Sequence, residues 1–188
     1  EIGVNHNGDL QLAKKLIREA AAAGADIVKF QTFKAQNCVT QNAPLAEYQE
    51  KNIPEAKSQL EMIESLELTE SDHRTLVETA QKHGIEMFST AFDVESLNFL
   101  KQFNFQYIKV PSGEITNLPL LRAIGNQRKK VILSTGMCVL GDIERALSVL
   151  ISSGLHREDI TILHCTTAYP CPIEHVNLNA MQVIKNKF

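Results

Sequence analysis

Tryptophan is absent from the 188 residues, aromatic residues make up only 6%, and glycine and proline number nine and six. So little Gly and Pro excludes a collagen-like or low-complexity chain. The four cysteines, Cys38, Cys138, Cys165 and Cys171, form no CxxC pair. Their number forces no pairing in a chain long enough to bury a core without staples, and a reducing cytoplasm fits them. No stretch approaches the roughly 18 apolar residues needed to cross a bilayer, so no membrane partner is expected. No dense Lys/Arg run is present and the net charge is −3 with a pI near 6.1; a nucleic-acid footprint is therefore not expected. Glu1 opens no basic-then-apolar leader, so no secretory signal is read.

What is present is an ordinary folded composition, 44% hydrophobic and 22% charged. The length suits one domain. Both ends read as cut, because residue 1 lies in an apolar run and residue 188 in a helical pattern. Short β-type runs at 2–4, 27–31, 86–90, 107–111, 131–135 and 161–165 alternate with apolar residues at helical spacing. Leu10, Ala13, Ile17, Ala20 and Ala21 form one helical face, with Asp9 as its cap and Gly24 as its end. Leu76, Val77 and Ala80 form a second face before Gly84, preceded by Thr69 and Asp72 in capping-box spacing. Ile143, Ala146, Leu147, Leu150 and Ile151 form a third, closed by Gly154. A shorter helix follows Asn117, with Pro119 in its first turn. The polar stretch 33–68 reads as a long active-site loop holding a short helix.

Strand–helix alternation of this kind implies parallel strands with right-handed crossovers. About six βα units fit a (β/α)8 barrel truncated before its last two units. A doubly wound open sheet is the runner-up, but Gly3 and Gly8 do not make its GxGxxG loop.

In either architecture the chemistry collects where strands end. Here those ends carry Asn5 and His6; Lys29 and Gln31; Ser89 and Thr90; Lys109, Ser112 and Glu114; Ser134 and Thr135; and His164, Cys165, Thr166, Thr167 and Tyr169. Two strand lysines with several hydroxyls suit an anion such as phosphate or carboxylate, because an unpaired ammonium inside a sheet is otherwise costly. A lone Ser or Thr can instead merely end a strand. Glu114 can orient a sugar or move a proton, or can be a helix-start carboxylate. His6 and His164 read as metal ligands or as hydrogen-bonding residues behind the site. His73, His83, His156 and His175 are expected to face solvent, as are Lys14, Lys15 and Arg18, and Cys165 is expected to pack rather than react.

The segments Glu1-Ile-Gly-Val-Asn-His-Asn-Gly8, Val28-Lys-Phe-Gln-Thr32, Phe88-Ser-Thr-Ala-Phe92, Ile108-Lys-Val-Pro-Ser-Gly-Glu114, Leu133-Ser-Thr-Gly-Met137 and Leu163-His-Cys-Thr166 with Tyr169-Pro170 resemble, in order, the sialic acid synthase family. Asn42-Ala-Pro-Leu-Ala-Glu-Tyr-Gln49 and Ser58-Gln-Leu-Glu-Met62 look most like its bacterial neuraminate/legionaminate branch. The resemblance implies a TIM barrel that condenses phosphoenolpyruvate with the open-chain aldehyde of an N-acylated mannosamine-type sugar. It implies that Lys29, Thr90, Lys109, Ser112, Ser134 and Thr167 hold phosphoenolpyruvate, and that Gln31, Glu114 and Tyr169 contact the sugar. Glu1 and Glu114 are the implied catalytic carboxylates, Glu1 lying near the reacting carbons to position or activate water. Where many relatives carry Asn in the turn after His-Cys, this chain has Thr166-Thr167, and Thr brings one donor rather than an amide pair. A divalent metal, Mn²⁺ or Mg²⁺, is implied to polarise the aldehyde, with ligands beyond residue 188. The last barrel units and an antifreeze-like domain of a homodimer would also lie beyond this chain, so the 188 residues alone are expected to be inactive. Other readings are a different phosphoenolpyruvate-dependent keto-acid synthase, a Schiff-base aldolase using Lys29 or Lys109, and a non-catalytic sugar-binding barrel.

Overall fold

The computed structural model describes residues 1–45 and 58–188. The motif positions 46–49 therefore lie outside the described residues. Two compact units make up the chain, Glu1–Phe105 and Gln106–Phe188.

In the first unit, α1 (Leu10–Ala22) starts where the Asp9 carboxylate accepts the orphan N–H groups of Gln11 and Leu12 at 2.7 and 3.2 Å. Its Ala13 and Ile17 are fully buried. β1 (Ile27–Thr32) then alternates, with Val28, Phe30 and Thr32 buried between half-buried Ile27, Lys29 and Gln31. Two short helices follow, α2 (Ala35–Cys38) and α3 (Gln59–Glu64), in the stretch expected to be loop. α4 (Glu70–Lys82) opens with the anticipated capping box between Thr69 and Asp72. β2 (Glu86–Ala91) pairs parallel with β1, matching Lys29 to Phe88, Phe30 to Ser89 and Gln31 to Thr90. Paired residues of a parallel ladder share a face, so Lys29, Gln31 and Thr90 lie on one side of the sheet. Phe30 and Met87, on the other, enter one apolar core with Ile2, Ala13, Ile17, Leu76 and Ala80.

Two expectations change here. The run at 2–4 is not a strand but a single bridge, Gly3 to Phe30, with the Ile2 and Gly3 N–H groups on the Lys29 carbonyl. Gly3 sits at φ +56°, and the N–H groups of Asn5 and Asn7 turn back onto Ile2 and Val4, so extension cannot continue. Sequence reading also missed α5 (Val94–Leu100), whose signal was present: Asp93 caps it by accepting from Ser96 N at 2.8 Å, and Leu97 and Leu100 are buried.

The second unit is a parallel sheet ordered β3 (Tyr107–Val110), β4, β5, with α6 (Leu118–Gly125) between the first two strands. The Asn117 side-chain oxygen Oδ1 accepts from Leu120 N at 3.1 Å to start α6, and Pro119 sits in its first turn. β4 (Lys130–Ser134) leads through α7 (Leu140–Ser152) to β5 (Ile160–Leu163). On α7, Ile143, Ala146, Leu147 and Leu150 are buried, but Ile151 is 38% exposed and leaves the expected face. One residue past Leu150 rotates it by about 100° off that stripe. Gly125 allows α6 and α7 to touch: a Cβ there would lie 2.8 Å from the Leu150 carbonyl oxygen. α8 (Leu178–Lys187) ends the chain without a buried residue.

The last β-run ends two residues earlier than expected, at Leu163 rather than Cys165. The Thr135 hydroxyl takes the Leu163 carbonyl at 2.8 Å, and the chain then serves the site. Among the described residues, no helix is long and apolar enough to cross a membrane.

Candidate active site

On the lysine-bearing face of the first unit, Lys29 Nζ pairs with the Glu1 carboxylate. Gly3 makes that approach possible, since a Cβ there would stand 3.0 Å from Glu1 Oε1 and 3.5 Å from Gln31 Nε2. Glu1, Lys29 and Gln31 thus come together. Thr90 shares their face, and its Oγ1 is buried with no hydrogen-bond partner among the described residues. An orphaned buried hydroxyl costs about 1–3 kcal/mol, which a bound acceptor would recover.

The opposite face carries a polar group that sequence reading misplaced. His73 is not at the solvent but 1% exposed, edge-on to Phe99 with ring centroids 5.2 Å apart. Spacing alone held the signal, since His73 lies three and seven residues before the buried Leu76 and Ala80. Its Nδ1–H donates to the Thr69 carbonyl at 2.9 Å. Burial holds its pKa below 6.5, against smaller raising effects of that bond and of Asp72 and Glu70, with Lys34 lowering it further. The neutral ring therefore presents Nε2 as an acceptor, to which Thr32 Oγ1 donates at 2.8 Å, and Ser89 Oγ donates to Thr32 at 2.7 Å. His6 is also buried and is pushed down by burial, then by His73. It accepts from Gly8 N at 3.0 Å and stacks on Phe30, a role in its own turn. His83, His156 and His175 are exposed as anticipated.

In the second unit Lys109 is 8% exposed, and its Nζ donates to the Val110 carbonyl at 2.8 Å. It pairs in register with Ile132, which places Ser134 on the same face two residues on. Ser112 and Glu114 occupy a 3-10 turn, Ser112–Glu114, directly after β3. The Asn117 amide that caps α6 also donates to Glu114 Oε2 at 2.7 Å, so one residue starts the helix and aims the carboxylate.

The hydroxyls here are polarised by their partners. Ser112 Oγ accepts from Gly136 N at 2.9 Å, and Ser134 Oγ accepts from the Cys165 thiol at 3.3 Å. Each keeps its own proton to give, which is what an anion needs. Thr135, by contrast, spends its proton on Leu163. Gly136 is the point of closest approach, because a Cβ would meet Thr167 Cγ2 at 2.6 Å, Ser112 Oγ at 3.0 Å and the Cys165 carbonyl at 3.4 Å. Thr167 is thereby brought beside Ser112. Tyr169 is not gathered in; it is 85% exposed. None of the four cysteines is joined in a disulfide, and the thiol of Cys138 is pushed up by burial, with Asp142 and Cys165 adding to it.

Among the described residues, no group of three or more His, Cys, Asp or Glu side chains could hold a metal ion. The donor set therefore does not fit the implied divalent cation, and no ligand to it is assigned.

Comparison with known proteins places these observations. The chain is 54% identical over 188 residues to the N,N'-diacetyllegionaminic acid synthase of Campylobacter jejuni, covering all of this chain and 56% of that one. It is 47% identical over 190 residues to the enzyme of the same name from Legionella pneumophila, covering 53% of it. The chain thus spans about half the length of the curated relatives it matches. Among solved structures, the sialic acid synthetase of Leptospira borgpetersenii, in complex with citrate, superposes with a TM-score of 0.83 at 33% identity, over 99% of this chain and 59% of that one. The model of the NeuB family matches residues 16–188. With ordered strand-end motifs, a parallel α/β fold and that match in agreement, the chain belongs to the NeuB family.

Proposed function

We propose that this chain supplies the phosphoenolpyruvate-binding part of an enzyme that joins phosphoenolpyruvate to an N-acylated mannosamine-type aldehyde, yielding a nonulosonic acid and phosphate. The observation that carries the reading is the pair of donor-polarised hydroxyls, Ser112 and Ser134, in the unit whose strand β3 holds the buried Lys109. A cation and hydroxyls whose oxygens already accept, leaving their protons to give, stabilise a phosphate or carboxylate. The family resemblance assigns the same role to Thr167 in this unit and, in the first unit, to Lys29 and the orphaned Thr90.

The reaction balances without a redox partner. C3 of phosphoenolpyruvate attacks the aldehyde carbon and forms the new C–C bond, while the aldehyde oxygen gains a proton. Water adds at C2 and loses a proton; the C2–O bond to phosphate then breaks as the new C2 hydroxyl becomes the keto group, its proton leaving with the inorganic phosphate. Glu1, paired with Lys29, is suited to hold the water, and Glu114, aimed by Asn117, to orient the sugar and move a proton at its hydroxyls. Gln31 and Tyr169 are assigned to the sugar by the family resemblance alone. The names of the Campylobacter and Legionella relatives favour a 2,4-diacetamido-6-deoxy sugar over N-acetylmannosamine. The partial (β/α)8 barrel, a homodimer, a cytoplasmic location and a divalent metal held outside residues 1–188 belong to the same proposal. The alternation of parallel strands and helices supports the first; the family resemblance supports the others.

Phosphate release by the full-length gene product tests it, with phosphoenolpyruvate, Mn²⁺ and each sugar in separate reactions. Release with the diacetamido sugar, abolished by EDTA and by Glu114→Gln, is the expected result. No release with either sugar would overturn the reading.

A further inference from the structure

We infer that Cys165 is a positioning residue for phosphoenolpyruvate, acting through Ser134; the inference rests on the function proposed above. The thiol lies 3.3 Å from Ser134 Oγ with the sulfur as donor. Ser134 is 7% exposed, so water does little to orient its hydroxyl. Between a thiol and a hydroxyl the O–H is the stronger donor, and an anion is a far better acceptor than sulfur. The arrangement that satisfies both places S–H on oxygen and O–H on the anion. Cys165 therefore does for Ser134 what the Gly136 N–H does for Ser112: it occupies the oxygen's acceptor side and leaves the proton pointing outward. The Cys165 backbone is held at the same spot, since its carbonyl lies within 3.4 Å of where a Gly136 Cβ would be. Having a hydroxyl rather than a base beside it, the thiol is no nucleophile.

Steady-state kinetics of the full-length protein test this with four variants, Cys165→Ala, Cys165→Ser, Ser134→Ala and the double Cys165→Ala/Ser134→Ala. Cys165→Ala is expected to raise KM for phosphoenolpyruvate by about 3–10-fold, the range of one hydrogen bond, while KM for the sugar stays within about twofold. Cys165→Ser keeps a donor and is expected to restore KM to within about twofold of wild type. In the Ser134→Ala background, removing the thiol is expected to add nothing, because the atom it orients is gone. Should Cys165→Ala fail to fold, Cys165→Val fills the same space without a donor and reads the same quantity. An unchanged KM in Cys165→Ala, a serine variant no better than alanine, or full additivity in the double variant would overturn the inference. Absence of wild-type turnover would instead overturn the proposed function, so the two failures are distinguishable.

Discussion

Gly136 has no spare volume in front of it. In Gly136→Ala the new methyl would push on Thr167 and on the Ser112 oxygen. We expect KM for phosphoenolpyruvate to rise about tenfold and stability to fall by about 1 kcal/mol, read from phosphate release and urea unfolding. Lys109 is almost fully buried and donates to the Val110 carbonyl, so Lys109→Met removes the strand cation without opening space. Activity is expected to drop by more than about a hundredfold, read from phosphate release. These residue-scale roles were only half legible in the sequence. The residue types at strand ends pointed to an anion, but which hydroxyls keep a proton depends on partners far along the chain, Ser112 with Gly136 and Ser134 with Cys165. No local spacing encodes such pairs.

At the scale of single elements, periodicity and caps carried most of the fold. Asp9, Thr69 with Asp72, and Asn117 start helices where their side chains reach orphan N–H groups. Asp93 does more than cap α5: its carboxylate also takes the Ser96 hydroxyl at 2.6 Å and Lys34 N at 3.1 Å. Asp93→Ala is expected to cost about 2 kcal/mol in urea unfolding, more than an exposed cap would. What defeated the reading at the other extreme was backbone conformation. A left-handed Gly3 followed by successive turns cannot be told from a short strand by an apolar pattern. His73 was misread because a polar type on a helix suggests solvent, although its heptad-like spacing to Ala80 pointed inward. Removing it in His73→Ala leaves a cavity and takes away the acceptor of the Thr32 hydroxyl, while the Thr69 carbonyl keeps the N–H of residue 73, for an expected loss of about 3 kcal/mol in urea unfolding.

For the molecule as a whole, buried histidines set the response to acid. Folded His73 and His6 are both held below 6.5, so as pH falls the unfolded chain binds protons first. Their stability contribution is therefore complete above about pH 6.5 and lost progressively below it, toward the lower folded-state values. Urea midpoints are expected to decline from pH 7.5 to 5.5, and to decline less in His73→Gln. A net charge of −3 adds little bias of its own over that range. The bond chain through His73 also has a direction, running from Ser89 through Thr32 and the imidazole to the carbonyl that begins α4. No member can turn alone, because each donates the proton its neighbour lacks. Helix and sheet consequently share one vector of polarity, and protonating the ring would reverse its sheet-side half in a single step: a two-position latch with the imidazole as its pawl.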